Sequence, residues 1–452
     1  MPCIMSCFST IRGIFALCKR SSSGKNGVAL PSLALSIFLI APMANAETFY
    51  VAPNTGDTGN GSQTAPWESV AAALNSGRVK GGDTVLLAPG NYGDLTIAGA
   101  RFDSPVDLRS DFGAEAHFTR ITVENSQNIH FSHLKIWSTQ PHEEDLSLVV
   151  VERDSPDIEF AQIDLRSTQD AADYRRWDVQ NWLRNQASGF LMLGDRNTVR
   201  NSKVTGIRFG IAITGDGSQI IGNRVDGFSG DALRVLGDNS KLAGNVVENC
   251  VKVDDNHDDG IQSWSTGPDG KPDGGTVRNL LIENNIIKEW AGVRNHPLIC
   301  DLQGIWLTRK MDGLVVRNNA VAVSAYHGIA VGGASNTQIV NNTLVNSRGP
   351  NPGSPWLGVF GSDGNDGILI ANNIAPKFNV EGNVDYRSPG LRNLTIVYPA
   401  QELRAPMSGD FRPARGSQLI NAGSAAYAPR TDLDGTPRSL GGAPDIGAYE
   451  VE

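Results

Sequence analysis

Four acidic residues and a histidine stand together in one short segment, Asp254-Asp255-Asn256-His257-Asp258-Asp259. Carboxylates and an imidazole this close can bind a cation, transfer protons or hold a sugar through its hydroxyl groups. An acidic turn that only satisfies its own backbone is the alternative interpretation. The segment leads directly into Gly260-Ile261-Gln262, and similar segments elsewhere in the chain predict where the cluster lies.

Apolar runs opened by a small residue recur along the chain, at Gly210, Ala232, Gly260, Gly304 and Gly328. The intervals from 210 to 232 and from 304 to 328 are 22 and 24 residues, the length of one coil of a parallel β-solenoid. Residues in the same register of successive coils stack at about 4.8 Å. A set of register-equivalent residues is therefore a map of a surface groove.

Two register columns are polar in mid-chain and apolar at both ends. The residues before each small residue are Ser188, Phe209, Asp231, Asp259, Gln303, His327 and Leu357. The second residues after it are Leu191, Ala212, Arg234, Gln262, Trp306, Ala330 and Phe360. Strand alternation predicts that both columns point outward while Leu233, Ile261, Ile305 and Ile329 fill the core.

A second recurring feature is an asparagine about a dozen residues after each small residue. These asparagines are Asn201, Asn223, Asn245, Asn285, Asn319 and Asn342. We interpret them as a structural ladder without a catalytic role.

The first 46 residues have the parts of a secretory signal. Residues 1–27 contain four basic and no acidic residues, residues 28–41 are apolar, and Ala44-Asn45-Ala46 is a small-residue cleavage site. The apolar run is shorter than the about 20 residues of a membrane-spanning helix. We expect cleavage after Ala46 and a secreted or periplasmic monomer with no membrane anchor.

Loss of this segment would remove four of 39 basic residues and none of 48 acidic ones, which changes the formal net charge from −9 to −13. Nucleic-acid-binding proteins typically carry a basic patch or net basic charge, so no nucleic-acid partner is expected. An anionic polysaccharide can still bind at a local cluster of Arg and Lys. Cys250 and Cys300 remain in the mature chain, either as one disulfide or as two buried thiols.

The mature chain, residues 47–452, is predicted to form a single domain. Residues 47–92 make an N-terminal cap with a short helix and the first coil, 93–374 form coils, and 375–452 form irregular C-terminal coils and a cap. The repeat is interrupted at 170–184 by a helical insertion, with Asp170 as its N-cap, that carries Arg175 and Arg176. These two arginines are candidates for binding an anionic polymer.

Three segments resemble the right-handed parallel β-helix superfamily that contains pectate lyases and related polysaccharide-processing enzymes. They are the opening segment 49–92, the coils with their Gly-Ile and Asn-Asn pairs, and the end Asp432-Leu433-Asp434-Gly435 to Asp445-Ile446-Gly447-Ala448-Tyr449. The resemblance covers nearly all of the mature chain. It implies an all-β right-handed parallel β-helix, with an N-terminal helical cap and inserted loops and helices, and the cleavage of a uronic-acid-containing glycan by β-elimination.

Such a lyase needs a base, an acid and a group that neutralises the sugar carboxylate. The candidate bases are His327, Lys310 and His257, and the candidate acids are Tyr326 and Arg309. Neutralisation comes from Arg234, or from Ca²⁺ bound by Asp231, Asp258 and Asp259. Gln262, Gln303 and Trp306 complete the predicted substrate groove. A uronate C5-epimerase would use the same groups.

Two other classes of protein remain open. A hydrolase related to polygalacturonases is suggested by Asp231, Asp258-Asp259, His327-Gly328 and Arg309-Lys310, although the Asn-Thr-Asp motif is absent and the basic pair precedes the histidine. A non-catalytic solenoid that binds glycans as an adhesin is the third hypothesis. An activity assay separates it from both enzymes.

Overall fold

The computed structural model describes residues 46–56, 58–111, 113, 115–139, 146–267, 274–361, 364–438 and 440–452. The predicted leader therefore lies outside the described residues, apart from Ala46. Residues Ala46–Glu452 form one compact unit. Three long parallel sheets run through it, and the chain visits the second, the first and the third sheet once in each coil.

The first sheet has twelve strands in chain order. They are Thr48–Val51, Thr84–Leu87, Arg101–Ser110, Gln127–Ser132, Ile158–Ala161, Thr198–Arg200, Gln219–Ile221, Lys241–Ala243, Leu281–Glu283, Val315–Arg317, Gln338–Val340 and Leu369–Ala371.

The second sheet has eleven strands and carries both predicted register columns. They are Asp94–Ala98, Arg120–Glu124, Ser147–Val151, Ser188–Met192, Ile211–Ile213, Leu233–Val235, Asp259–Trp264, Gln303–Thr308, His327–Gly332, Trp356–Phe360 and Lys377–Val380.

The third sheet again has twelve strands. They are Gly90–Asn91, Ala116–Phe118, Lys135–Ser138, Asp164–Thr168, Lys203–Ile207, Arg224–Phe228, Val246–Cys250, Ile286–Lys288, Ala320–Val323, Thr343–Asn346, Ile374–Ala375 and Leu394–Thr395.

A short three-stranded sheet and an antiparallel pair complete the strands. The short sheet contains Val277–Arg278, Met311–Asp312 and Ala334–Ser335, and the pair is Leu403–Ala405 with Asp410–Pro413. These connections confirm the predicted right-handed parallel β-helix. No helix of the described residues is long and apolar enough to cross a membrane.

An N-terminal α-helix, Val70–Asn75, packs against the first coil as predicted for a cap. Ser69 accepts a hydrogen bond from the backbone N–H of Ala72, which satisfies one of the unpaired donors at the helix start. Val70 and Ala73 join the main apolar core. The helix thereby covers the apolar end of the solenoid.

The helical insertion differs from the prediction because it is divided in two. A 3₁₀ helix, Gln169–Arg176, is followed by an α-helix, Val179–Asn185, and the extended backbone of Trp177 separates them. Asp178, not Asp170, is the residue whose side chain caps the α-helix. Short 3₁₀ helices also occur at Pro389–Leu391, Pro399–Gln401 and Pro406–Ser408.

The solenoid core is filled by the alternate, inward-pointing apolar side chains of the strands. Leu233, Ile261, Ile305 and Ile329 are fully buried and lie in register on neighbouring strands of the second sheet, as predicted. Apolar burial of this kind supplies the main favourable free energy of folding, about 25 cal/mol for each Å² removed from water.

A buried asparagine ladder connects the coils at the corner between the first and third sheets. Each Oδ1 accepts the backbone N–H of the preceding ladder residue at 2.9–3.1 Å. The ladder contains Asn223, Asn245, Asn285, Asn319 and Asn342 as predicted, and it continues through Asn373 and Asn393. Asn201 is not part of it, because Ser202 occupies the equivalent position and Asn201 is exposed with φ of 51°.

The C-terminal segment covers the corner beyond the ladder through a buried ion pair. Arg438 donates to Asn318 at 2.8 Å and to the carbonyl of Gly447 at 2.9 Å, and it pairs with Glu450 at 3.5 Å. Asp445 is also fully buried beside these groups. The segment is therefore held by charges that compensate one another inside the protein.

Arg438→Met is expected to lower the free energy of unfolding by about 3 to 5 kcal/mol, because it leaves buried carboxylates without their cation. Chemical denaturation measures the change. The matched control is Arg415→Met, which removes an exposed arginine and should change stability by less than about 0.5 kcal/mol. Equal stability of the two variants would contradict this account of the cap.

Candidate functional site

The polar mid-chain residues come together on the outer face of the second sheet. Asp259 pairs with Gln303 and Arg234 with Gln262, so the predicted columns are correct over these coils. Asp231, Asp259, Gln303 and His327 thus stand on four successive coils, about 4.8 Å apart.

The predicted columns are wrong at the next coil. A register irregularity between His327 and Ile329 places Trp356 opposite His327. Leu357 consequently points into the core, where it is fully buried. Phe360 lies opposite Gly332 and packs with its ring near the Cα of that glycine.

A continuous chain of hydrogen bonds links five of the predicted site residues. Gln262 Nε2 donates to Asp259 Oδ2 at 2.7 Å, and the same oxygen lies 3.0 Å from Nδ1 of His257. Nε2 of His257 contacts the Gln303 amide nitrogen, and Gln303 Oε1 is 2.6 Å from Nδ1 of His327. Both glutamines are buried; Gln303 holds the two histidines in place, and Gln262 holds Asp259.

The two histidines in this series of hydrogen bonds, His257 and His327, have opposite electrostatic environments. The hydrogen bond to Asp259 raises the pKa of His257. Burial, assisted by the nearby His257, lowers the pKa of His327 to about 4. Burial also raises the pKa of Asp259 to about 7. His327 is therefore neutral near pH 7, which is the state a base requires.

Aromatic rings enclose His327 on several sides. The rings of Trp306 and Phe360 are nearly parallel to the imidazole, at 14° and 17° with centroid distances of 5.9 and 5.7 Å. Tyr326 lies closer, at 4.0 Å between centroids, and its side chain is exposed. Within the described residues no protein atom hydrogen-bonds Nε2 of His327.

Asp231 and Arg234 form an ion pair at one end of the column. The Arg234 guanidinium also lies over the rings of Phe209 and Trp264, 5.0 and 4.9 Å from their centroids. Burial raises the pKa of Asp231, and Arg234 opposes that effect. Three coils separate Arg234 from His327, about 14 Å along the axis.

Among the described residues, Asp231, Asp258 and Asp259 do not bring three carboxylate oxygens within 4.8 Å of one another. Oδ2 of each carboxylate has a charged partner: Arg234 for Asp231, His257 for Asp259, and Lys252 at 3.1 Å for Asp258, while Oδ1 of each is buried without a hydrogen-bond partner within the described ranges. In the described part of the chain, the cluster of potential metal ligands that contains Asp258 includes the sulfurs of Cys250 and Cys300 and neither of the other aspartates. These donors do not fit the oxygen-rich shell that Ca²⁺ requires.

Cys250 and Cys300 form a disulfide, which resolves the alternative left by the sequence. The bond joins the end of strand Val246–Cys250 to the loop that precedes strand Gln303–Thr308. Both segments border the acidic cluster, and Asp258 packs against the sulfurs. The disulfide therefore stabilises the wall of the site on the side of the third sheet.

A recess of about 710 Å³ opens beside Gln303 and Tyr326. Arg348 lines it, and this guanidinium contacts Asp301 and the fully buried Glu289. Arg348 follows strand Thr343–Asn346 and was missed by the sequence analysis, since its loop has no repeat pattern. It shares the recess wall with Gln303 and Tyr326.

Four other predicted site residues lie away from this cluster. Arg309 and Lys310 follow the far end of strand Gln303–Thr308, roughly 20 Å from its beginning at 3.3 Å per residue. Arg175 and Arg176 lie on the 3₁₀ helix of the insertion. Arg175 is 5.2 Å from the centroid of the Trp290 ring, and Arg176 is exposed. The insertion packs on the third sheet through Tyr174, which donates to Asp226 at 2.6 Å.

Asp258 makes the stability of the site dependent on pH. Burial raises the pKa of Asp258 to about 7, far above its value in an unfolded chain. Between about pH 4 and about pH 7 the folded state binds a proton that the unfolded state has lost, so the free energy of unfolding falls as pH rises.

Asp258→Asn should remove this contribution and make the pH dependence shallower. Between about pH 4 and about pH 8, the free energy of unfolding of the variant should rise relative to that of the natural chain by on the order of 3 kcal/mol. Denaturant titrations at several pH values measure it. Asp255→Asn alters an exposed neighbour, so its curve of unfolding free energy against pH should run parallel to that of the natural chain. Parallel curves for all three proteins would contradict the prediction.

Comparisons with known proteins agree with this architecture. Residues 119–383 match the family described as a right handed beta helix region. A search of curated proteins found no match.

Solved structures with a similar fold include a pectate lyase, with 17% identity over 91% of this chain and 98% of that chain and a TM-score of 0.47. A mannuronic acid specific family 6 polysaccharide lyase from human gut microbiota has 12% identity over 75% of this chain and 92% of its own, with a TM-score of 0.43. The A-module of a mannuronan C-5 epimerase from Azotobacter vinelandii has 12% identity, coverage of 72% and 91%, and a TM-score of 0.47. At these identities the likeness concerns the fold alone.

Proposed function

The chain belongs to the right-handed β-helix family, and from its candidate site we propose that it is a polysaccharide lyase that cleaves a uronic-acid-containing glycan by β-elimination. The groups that a substrate can reach carry this proposal. They are the imidazole of His327, the exposed phenol of Tyr326, and the partly exposed His257 and Trp306. An imidazole and a phenol suit the removal of a proton beside a carboxylate and the protonation of a leaving oxygen.

The reaction can be written with His327 as base and Tyr326 as acid. Nε2 of His327 takes the C5 proton, and the electron pair of the C–H bond forms the C4–C5 double bond. The bond between C4 and the glycosidic oxygen breaks, and that oxygen takes the proton of Tyr326. The aromatic walls and a bound substrate would together exclude water around His327, which strengthens the electrostatic interactions of the reacting groups.

The substrate carboxylates need cations, and we propose Arg348 and Arg234 for that role. Arg348 lines the same recess as Tyr326 and Gln303, so it is our candidate for neutralising the carboxylate of the reacting sugar. Arg234, about 14 Å from His327 along the axis, would bind a uronate further along the chain. We propose no calcium ion, since the three aspartates do not form a ligand set.

A two-carboxylate hydrolase is less consistent with the same geometry. Glycoside hydrolysis requires two carboxyl groups in contact with substrate or water on either side of the scissile bond. The side chain of Asp259 is fully buried behind His257, and that of Asp231 is 3% exposed and paired with Arg234. Neither carboxylate faces the groove; Asp231 orients Arg234, and Asp259 orients His257.

Uronate C5 epimerisation is the second candidate, because it begins with the same proton abstraction. The two reactions differ in the fate of the carbanion: reprotonation gives the epimer, and loss of the leaving group gives elimination. His257 would then be a second imidazole close to the reacting carbon, at 4.8 Å from Trp306 between ring centroids. Deuterium incorporation at C5 from heavy water, with polymer length unchanged, would identify an epimerase.

Export completes the proposal. The signal-like first 46 residues and the Cys250–Cys300 disulfide are both consistent with an oxidising compartment. A polymer too large to enter a cell would be available there as substrate.

The first test is the ultraviolet absorbance of the C4–C5 double bond when the mature protein is mixed with pectate, alginate and other uronate polymers. We expect absorbance to rise, and to rise equally with EDTA present. New reducing ends without absorbance would support hydrolysis and overturn the lyase proposal. Absence of both would leave epimerisation or binding alone.

His327→Gln and Tyr326→Phe should each reduce the elimination rate by about 10²- to 10⁴-fold, the usual contribution of a general base or acid. Initial rates of absorbance increase give the values. His130→Gln and Tyr398→Phe are the matched controls, since both residues lie outside the groove on other parts of the chain. Full activity of His327→Gln would exclude this histidine as the base.

Arg348→Met should lower kcat/KM for uronate polymers by about 10- to 100-fold, which is the loss of one charge-assisted contact of 1.5–3 kcal/mol. The comparison protein is Arg415→Met, whose arginine is exposed near the C-terminus. Unchanged kcat/KM in Arg348→Met would remove the recess from the reaction.

A further inference from the structure

The buried amide of Gln303 lies between two imidazoles and contacts both. Its oxygen is 2.6 Å from Nδ1 of His327, and its nitrogen contacts Nε2 of His257. Only 5% of the residue is exposed, so water does not compete for these positions. The strand register fixes its place, because Gln303 pairs with Asp259 on the neighbouring coil.

An amide has one end that can only accept and one that can only donate. Gln303 Oε1 must accept, so Nδ1 of His327 carries the proton. Gln303 Nε2 must donate, so Nε2 of His257 is unprotonated in this arrangement. Nδ1 of His257 then carries its own proton and donates it to Asp259 at 3.0 Å.

The buried carboxylate of Asp259 determines which group donates and which accepts in this series of hydrogen bonds. Asp259 Oδ2 accepts from His257 and also from Gln262 at 2.7 Å. With Asp259 ionised and His257 neutral, Nδ1 of His257 is the donor to Asp259, and each following link is then determined as far as His327. Asp259 is thus connected to His327 through three hydrogen bonds although it touches no part of the groove.

We propose that Gln303 is a positioning residue that fixes the tautomer of His327, with the proton on Nδ1 and the lone pair of Nε2 directed to the groove. The inference rests on the proposed function for its role in catalysis. The rings of Trp306 and Phe360 hold the plane of the imidazole, and the amide determines which of its nitrogens is the base.

Nitrogen NMR of the mature protein labelled with ¹⁵N-histidine tests the tautomer without any substrate. The resonances of His327 are assigned by their loss in His327→Asn. We expect a protonated-type shift for Nδ1 and an unprotonated-type shift for Nε2. A proton on Nε2 in the natural chain would overturn the proposal.

Two substitutions of Gln303 separate its chemistry from its volume. Gln303→Met keeps the shape without hydrogen bonds, and the His327 shifts should move toward a mixture of tautomers. Gln303→Glu keeps an acceptor facing Nδ1 of His327 but adds a negative charge, so the protonated-type shift of Nδ1 should be retained while the pKa of His327 rises. Gln338→Met, an exposed residue of the first sheet, should change nothing. Unchanged His327 shifts in Gln303→Met, with the other histidine resonances showing a folded protein, would refute the role of Gln303.

Kinetics then connect the tautomer with catalysis. Gln303→Met should lower kcat for elimination by about 10- to 100-fold while KM changes by less than about 3-fold, because only the fraction of His327 with an available Nε2 reacts. Gln303→Glu keeps the tautomer but favours protonation of His327, so its loss of kcat should shrink as pH rises, whereas the loss in Gln303→Met should not; losses with the same pH dependence in the two variants would contradict the proposal. If the NMR result holds but no uronate polymer is cleaved by the natural chain, the lyase proposal fails while the positioning role of Gln303 stands.

Discussion

Parallel hydrogen bonding between successive coils is the constraint on which every other feature of this protein depends. It fixes a rise of about 4.8 Å per coil and determines which side chains stand above one another. Residues far apart in sequence, such as Asp231 and His327, thereby share one face. The buried asparagine ladder keeps this register at the corner between the first and third sheets, because each side chain occupies the backbone donor of its neighbour.

This constraint also explains why so much polar chemistry is buried. A side chain on a mid-solenoid strand has neighbours above, below and on both sides, so a carboxylate there loses water and must find a donor. Asp259 has His257 and Gln262, and Asp231 has Arg234. The buried carboxylates consequently act through the groups they hold, and the histidines and Tyr326 are what a substrate meets.

The repeat made the fold and the central part of the site predictable, and its interruptions set the limit. Small-residue spacing identified the core position of Ile305 and the outward position of Gln303 correctly, because both follow from strand alternation. The column failed at Leu357, where an irregular register shifts the strand by one residue. Arg348 was missed because a non-repetitive loop brings it to the recess. Arg309 and Lys310 are adjacent to the correct strand but follow its far end, a distinction that proximity in sequence does not reveal.

The two histidines show how one hydrogen-bond chain can prepare two groups for different tasks. His257 faces a buried carboxylate, which raises its pKa, whereas His327 faces aromatic rings and an amide, and burial lowers its pKa to about 4. Pairs of titratable groups whose environments separate their pKa values are typical of sites where one group must stay neutral beside another that attracts charge. A direct bond between the imidazoles would couple their charges. The intervening Gln303 transmits orientation while adding no charge of its own, and burial keeps His327 neutral although it is connected to an acidic cluster.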